Sequence, residues 1–305
     1  MEQPRYRGRF APSPTGPLHF GSLVTALASW LEARTAGGDW LVRIEDLDPL
    51  REPPEATGQI LHSLDCHGLF PDEPVRFQSR RHDAYQAAIG QLLAQHQAYR
   101  CRCSRKLLQK HGGYHPDHCR DGHPAPGDTP YAIRFALTDE LSHWQDLLLG
   151  DQQQKVAAEL DDPVLLRKEG FYAYQLAVVV DDIDQNISHV VRGSDLLDMT
   201  AQQQQIFRAL GAQPPQWLHI PVIVNDQGQK LSKQTHAPAL DDQQPAANLV
   251  NALAALGQQP PPALVQATVD DVLAWGRENW RRHAIPLTSR QARGITPNTH
   301  LRPDH

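Results

Sequence analysis

The chain has 305 residues, with 29 Lys and Arg against 35 Asp and Glu and a formal net charge of −6. Apolar residues make up 40% and charged residues 21%, enough to bury a large core, and no apolar run approaches the ~18 residues needed to span a bilayer. The negative total argues against a general nucleic-acid coat. An RNA partner would need a local basic patch such as Arg80-Arg81, Arg100 to Lys106 or Arg281-Arg282, each of which also reads as an ordinary solvated face.

The first informative stretch is the loop Arg9-Phe10-Ala11-Pro12-Ser13-Pro14-Thr15-Gly16-Pro17-Leu18, which leads into His19-Phe20-Gly21-Ser22 and an apolar run with helical spacing, Leu23 to Trp30. A helix beginning there aims unpaired N–H groups and a positive dipole end at the loop, and Gly21 removes the side chain that would hold off a phosphate or an adenine. Gly37-Gly38 stops that helix, and Trp40 to Ile44 reads as a strand with Glu45 just past its end. Arg81 to His96 reads as an amphipathic helix, Ala98 to Cys101 and Tyr131 to Leu137 as strands, and Tyr172 to Val180 as a helix. A strand from Ile187 to Arg192, a helix from Leu196 to Leu210 and a strand from Trp217 to Val224 follow. Alternation of this kind predicts an α/β fold, a mostly parallel sheet covered by helices, with ligands held beyond the carboxyl ends of the strands. Arg9, Glu45, Arg192 and the basic loop Lys230-Leu231-Ser232-Lys233, after the turn Asn225-Asp226-Gln227-Gly228, all fall at or past strand ends. Beyond them, Asn248 to Leu256 and Val269 to His283 read as helices separated by Pro260-Pro261-Pro262. The Gln runs 152–154 and 202–205 read as compositional bias with no chemistry attached.

Four cysteines do not read as a disulfide framework. Cys66 stands apart and reads as a small buried hydrophobe. Cys101-x-Cys103 and Cys119 lie in an irregular insertion, about 100–130, and offer three thiolates to a tetrahedral zinc ion. His115, four residues before Cys119, is the preferred fourth ligand and Tyr114 the second choice, with His118 and His111 behind them. The role of such a zinc is structural, because an insertion with few apolar residues gains its folding energy from the metal.

Either the His19 loop or the lysine loop alone is a weak sign; an isolated Lys-Leu-Ser-Lys is ordinarily a basic loop. Together they resemble the HIGH and KMSKS signatures of class I aminoacyl-tRNA synthetases, in the versions His19-Phe20-Gly21-Ser22 and Lys230-Leu231-Ser232-Lys233-Gln234. The string from Arg9 to His19, Arg43-Ile44-Glu45-Asp46-Leu47-Asp48, Tyr174 to Asp182 and Val191-Arg192-Gly193-Ser194-Asp195 are similar to the bacterial glutamyl-tRNA synthetase group, and within it to a short branch. In that branch a tyrosine stands four residues before the last cysteine of the zinc set; here the tyrosine is displaced to Tyr114 and His115 occupies the position.

The resemblance implies a Rossmann-type catalytic domain over 1–240, including the zinc-binding insertion, and a short helical region over 241–305 without an anticodon-binding domain. It implies ATP-dependent activation of L-glutamate to glutamyl-adenylate without tRNA, with Mg²⁺ at the departing pyrophosphate. Lys233 and Lys230 carry the phosphate charge in this reading, and His19, Gly21, Ser22 and Ser232 complete the ATP site. Glu45 suits the substrate ammonium, and arginine suits carboxylates through its fork of N–H donors. Arg9, Ala11, Ser13, Glu45, Tyr174 and Arg192 form the glutamate site; Arg9 with Tyr174 takes the γ-carboxylate and Arg192 the α-carboxylate, or the reverse, and Tyr172 is the alternative to Tyr174. The implied acceptor is the queuosine base in the anticodon stem-loop of tRNA(Asp), met by a cytoplasmic monomer that uses no membrane. The alternatives are a truncated synthetase charging the 3′ end of tRNA(Glu), a non-catalytic RNA-binding paralogue, and another nucleotidyltransferase that uses a small acid.

Overall fold

A computed structural model of the chain describes residues 5–103, 105–110, 120, 130–224, 238–288 and 290–291. Lys230, Ser232 and Lys233, and with them Tyr114, His115 and Cys119, lie outside the described residues.

The chain opens with β1 (Arg7–Phe10), α1 (Phe20–Thr35) and β2 (Asp39–Ile44), a parallel pair joined by a right-sized crossover in which Arg9 registers with Leu41. Apolar residues on nearly every face of α1 bury it against the sheet on one side and later helices on the other. The sharp exit at Gly37 (φ 63°) needs glycine's left-handed freedom, and Gly38 packs so tightly against the Tyr6 backbone that no Cβ would fit. Helix α2 (Ala56–Cys66) then leads to the short β3 (Arg76–Phe77), which continues the parallel sheet beside β2.

Helix α3 (His82–Ala94) is followed by β4 (Ala98–Cys101), α4 (Arg105–Lys110), β5 (Ala132–Phe135), β6 (Leu141–Asp146), β7 (Gly150–Lys155), a single helical turn α5 (Val156–Glu159) and β8 (Val164–Leu166). Strands β4, β5 and β8 form a small antiparallel sheet, and β6 and β7 form a hairpin. Helix α6 (Tyr174–Asp184), β9 (His189–Gly193), α7 (Thr200–Ala209) and β10 (Gln216–Ile220) complete the alternation, with β10 parallel to both β9 and β6. Ser188 at the entrance to β9 donates its N–H to the Arg7 carbonyl and accepts the Arg7 N–H on its hydroxyl, which sets β9 beside β1. The parallel expectation holds for these central strands; the edge hairpin and the small sheet are antiparallel.

Beyond the unforeseen hairpin, the helix expected over 269–283 ends at Asn279 and a separate 3₁₀ turn follows at Arg282–Ala284, and two further elements change in kind. The helix expected over 196–210 opens as a 3₁₀ turn, Ser194–Met199, and becomes α-helical only at Thr200. The strand expected over 217–224 divides at Pro221, which has no N–H for a ladder, into β10 and the short β11 (Ile223–Val224). Helices α8 (Pro245–Ala255) and α9 (Val269–Asn279) pack on α1 within one apolar cluster, Leu249, Leu253 and Val272 against Leu23, Leu27 and Leu31. Thr268 and Asp271 close a capping box at the start of α9. Among the described residues no helix is long and apolar enough to cross a membrane.

Candidate active site

The carboxyl ends of β1, β2, β9 and β10 open onto a cavity of about 670 Å³. Arg9, Ala11, Ser13, His19, Gly21, Ser22, Glu45, Tyr174 and Arg192, expected to meet in one site, all line it. Tyr172 does not; its ring packs against His82 and Tyr85. Asp195, Pro221 and Ile223, for which the sequence suggested no such place, line the cavity as well.

His19 is the N-cap of α1. Its Nδ1 accepts the Ser22 N–H at 3.2 Å, which puts the ring proton on Nε2, 3.1 Å from Ser22 Oγ. A Cβ on Gly21 would sit 3.2 Å from the imidazole, so a larger residue there pushes the His19 ring by a few tenths of an ångström. The first turn of α1 carries no acidic residue, so no carboxylate of its own offsets the positive end of the helix at the cavity.

One wall is a buried charge cluster. Arg9 donates Nε and Nη2 to the two oxygens of Asp182 (3.0 and 3.3 Å), which leaves its Nη1 edge without a hydrogen bond among the described residues. Arg43, wholly buried on β2, donates Nη1 to Asp182 Oδ1 and Gln185 Oε1, both at 2.8 Å. Asp182 is held below the usual carboxylate range, because Arg9 and Arg43 together outweigh the burial that pushes it up. Glu45 receives much less: its Oε1 is 3.6 Å from Arg43 Nη2 and has no hydrogen-bond partner. Burial therefore pushes the Glu45 carboxyl up to about 7, against the pull of Arg43 and Arg9. A carboxylate so placed gains most from a cation entering the cavity.

The opposite wall is built around Arg192. Nε donates to His219 Nε2 (3.0 Å), Nη1 to Gln203 Oε1 (2.7 Å) and at longer range to Tyr174 Oη (3.5 Å), and Nη2 to Thr200 Oγ1 (2.8 Å) and Leu196 O (3.1 Å). The guanidinium also stacks over Trp217 at 4.5 Å. Each of these partners is neutral. Burial lowers the Arg192 pKa from its ordinary value, and among the described residues no carboxylate lies within ion-pair distance of it. His219 is itself oriented by Asp146, which accepts its Nδ1 proton at 2.6 Å and is held low by that bond and by the Leu148 and Leu149 N–H groups despite burial. Burial keeps His219 neutral, so its Nε2 lone pair is available to Arg192.

Several of these residues were not foreseen. The Gln run at 202–205 carries chemistry after all: the whole run is buried, Gln203 bridges Arg192 to Gln175, and Gln205 bonds both the N–H and the carbonyl of Thr138. Asp182, Asp146 and His219 left only the trace of polar residues set in apolar flanks. Cys66, read as a buried hydrophobe, is half-buried at the end of α2 with its Sγ 3.5 Å from His62 Nε2. Two of the basic pairs are internally matched: Arg81 with Asp181 and Asp184, and Arg282 with Glu32. In the insertion, Cys101 is buried at the end of β4 and accepts the Cys103 N–H on its sulfur at 3.3 Å.

The site thus sets a helix start with no acidic residue in its first turn beside one acidic and one cationic wall, at the carboxyl edge of a crossover sheet. The family described as class I tRNA synthetases (E and Q), catalytic domain, matches residues 5–264, and the chain belongs to it. The chain is 45% identical over 298 residues to a glutamyl-Q tRNA(Asp) synthetase of Vibrio vulnificus, covering 96% of this chain and 97% of that protein. It is 48% identical over 281 residues to one of Pseudomonas aeruginosa, covering 92% and 95%. Among solved structures, a glutamate tRNA ligase from Elizabethkingia meningosepticum in complex with its amino acid superposes with a TM-score of 0.78 at 27% identity, over 94% of this chain and 67% of the ligase.

Proposed function

We propose that this protein activates L-glutamate with ATP, without tRNA, and transfers the glutamyl group to the queuosine base in the anticodon of tRNA(Asp). The observation that carries the activation half is the meeting, in one cavity, of an under-compensated acidic wall at Glu45 and a positive wall at Arg192 without a counter-charge. The acceptor rests on relatives named for it at 45–48% identity over nearly the full chain.

In this mechanism Glu45 takes the substrate ammonium. The open Nη1 edge of Arg9 takes one carboxylate, and Tyr174, whose hydroxyl oxygen accepts from Arg192, donates its own proton to a carboxylate held in the Arg192 field. Glutamine fails where its amide would face Arg192, whose desolvated guanidinium has no other counter-charge among the described residues. One oxygen of the α-carboxylate attacks the α-phosphorus of ATP, a phosphate–anhydride bond breaks, and pyrophosphate leaves. No covalent enzyme intermediate is needed, so positioning and charge stabilisation supply the catalysis. The start of α1 with His19, Gly21 and Ser22 holds the nucleotide, and Lys230, Ser232 and Lys233 carry phosphate charge. Bound Mg²⁺ would neutralise the leaving pyrophosphate.

Cys101, Cys103 and Cys119 with His115, or Tyr114 in its place, would hold a structural zinc ion. Two sulfurs two residues apart at the end of β4, one accepting a peptide N–H, suit a thiolate pair.

The test is incubation with labelled glutamate, ATP and tRNA(Asp) with or without queuosine, followed by ribonuclease mapping. Label in the anticodon fragment only when queuosine is present is the expected result. Label on the 3′-terminal adenosine overturns the acceptor, and absence of glutamate-dependent pyrophosphate exchange without RNA overturns the activation.

A further inference from the structure

Away from the cavity, α2 ends in a group of side chains that the reaction does not use. His62 and Cys66 are four residues apart, on one face of the last turn of α2. Asp242, on the segment that re-enters the described fold just before α8, brings its carboxylate to the same point. The imidazole nitrogen, the thiol sulfur and a carboxylate oxygen all lie within 4.8 Å of one another.

Three details distinguish this group from a chance surface cluster. The Sγ to Nε2 separation is 3.5 Å. Bonds of about 2.3 Å to sulfur and about 2.05 Å to nitrogen at a tetrahedral angle place those atoms about 3.6 Å apart, so the pair is already at the spacing a zinc ion needs. Asp242 Oδ2 is oriented by the Ser63 hydroxyl at 2.9 Å, whereas Oδ1 is shielded from solvent without any hydrogen-bond partner. A shielded carboxylate oxygen left in that state is costly unless a cation completes it. Finally, the group sits at the carbonyl end of a helix, where the dipole favours positive charge. His67, the other imidazole nearby, is committed at both nitrogens, to Ser63 O and to Asn248 Nδ2, and is not a ligand.

We propose that His62, Cys66 and Asp242 form a second metal site, with water as the fourth ligand, that takes Zn²⁺ or a similar borderline-soft divalent cation. Binding replaces the thiol proton by the metal and releases that proton to solvent. The ion cross-links α2 to the segment following residue 237. That segment is joined to the nucleotide loop, because Ala239 bridges to His19 and the Leu240 N–H donates to Leu18 O. The site is thus a clasp holding the carboxyl side of the lysine-loop segment against the start of α1. It does not depend on the acceptor or on the zinc ion of the insertion.

The experiment is residue-resolved alkylation of full-length, chelator-treated protein with N-ethylmaleimide, with and without added Zn²⁺, read by mass spectrometry of the peptide containing Cys66. Zn²⁺ is expected to slow labelling of Cys66 at least tenfold in the wild type. Protection should vanish in His62→Ala and in Asp242→Asn, each checked for a wild-type circular dichroism spectrum. Equal labelling with and without Zn²⁺ overturns the proposal, as does protection that persists in both variants. Since the readout is confined to one cysteine, zinc bound by Cys101 and Cys103 does not affect the outcome.

Discussion

The two walls of the cavity handle buried charge in opposite ways. At the Arg9 wall, arginines and carboxylates interlock, Asp182 serving both Arg9 and Arg43, and the one acid left poorly served is Glu45. At the Arg192 wall a guanidinium is fixed by neutral acceptors and an aromatic face, so its charge is positioned without being cancelled. The first arrangement holds the fold together around a site hungry for a cation. The second holds a cation in place without a counter-charge among the described residues. In the proposed mechanism a zwitterionic substrate with a second carboxylate lies between them.

The largest expected effect breaks the first wall: Asp182→Ala removes the carboxylate that Arg9 binds and takes one of the acids from Arg43, and should cost about 3–5 kcal/mol of stability, read by chemical denaturation. A wild-type midpoint would show that the cluster is not structural. Arg192→Met should act the other way round, lowering glutamate-dependent pyrophosphate exchange by about 10²–10³-fold while costing only about 1–3 kcal/mol in stability. Next, Glu45→Gln should lower kcat/KM for glutamate by about 10²-fold at pH 8, with little change in the KM for ATP.

The pH profile sharpens the same point. The Glu45 carboxyl stands near 7 in the free site, and an ammonium favours its ionised form, so glutamate binding should be at full strength above pH 7. Below pH 7 the wild-type KM for glutamate should rise about tenfold per pH unit, and Glu45→Gln should abolish that limb. A flat wild-type profile between pH 6 and 8 would remove Glu45 from the ammonium role. Smallest is Asp146→Asn, which keeps an oxygen for the Leu148 and Leu149 N–H groups and weakens the bond that orients the His219 ring; a loss of about 1 kcal/mol there predicts a fivefold loss of glutamate activation without a shift in the pH profile.

What could be read in the sequence follows the distance over which each feature is encoded. Arg9, His19, Gly21 and Glu45 belong to short stretches whose turn chemistry and strand ends are local, and they take their places around the cavity. Asp182 is 173 residues from the Arg9 it binds, and no local pattern announces such a pairing. The hairpin was hidden because buried positions on β6 include Ser142 and Asp146, so its inward face does not look apolar. The Gln run deceived for a similar reason: a polar stretch on α7 suggests an outer face, yet it fills the layer behind Arg192 with amide donors and acceptors. Cys66 was misjudged because its neighbours, His62 one turn back and Asp242 on a distant segment, are brought to it only by folding.

The cavity's remaining side is the loop 11–18, in which Pro12, Pro14 and Pro17 fix their own backbone angles and Gly16 (φ 144°) occupies a conformation closed to other residues. Its rigidity has a thermodynamic consequence. Such a loop gives up its conformational freedom when the chain folds and has little left to lose when ligands enter. The entropy of ordering is therefore charged to folding, and the contacts made along this wall reach the substrates with little discount.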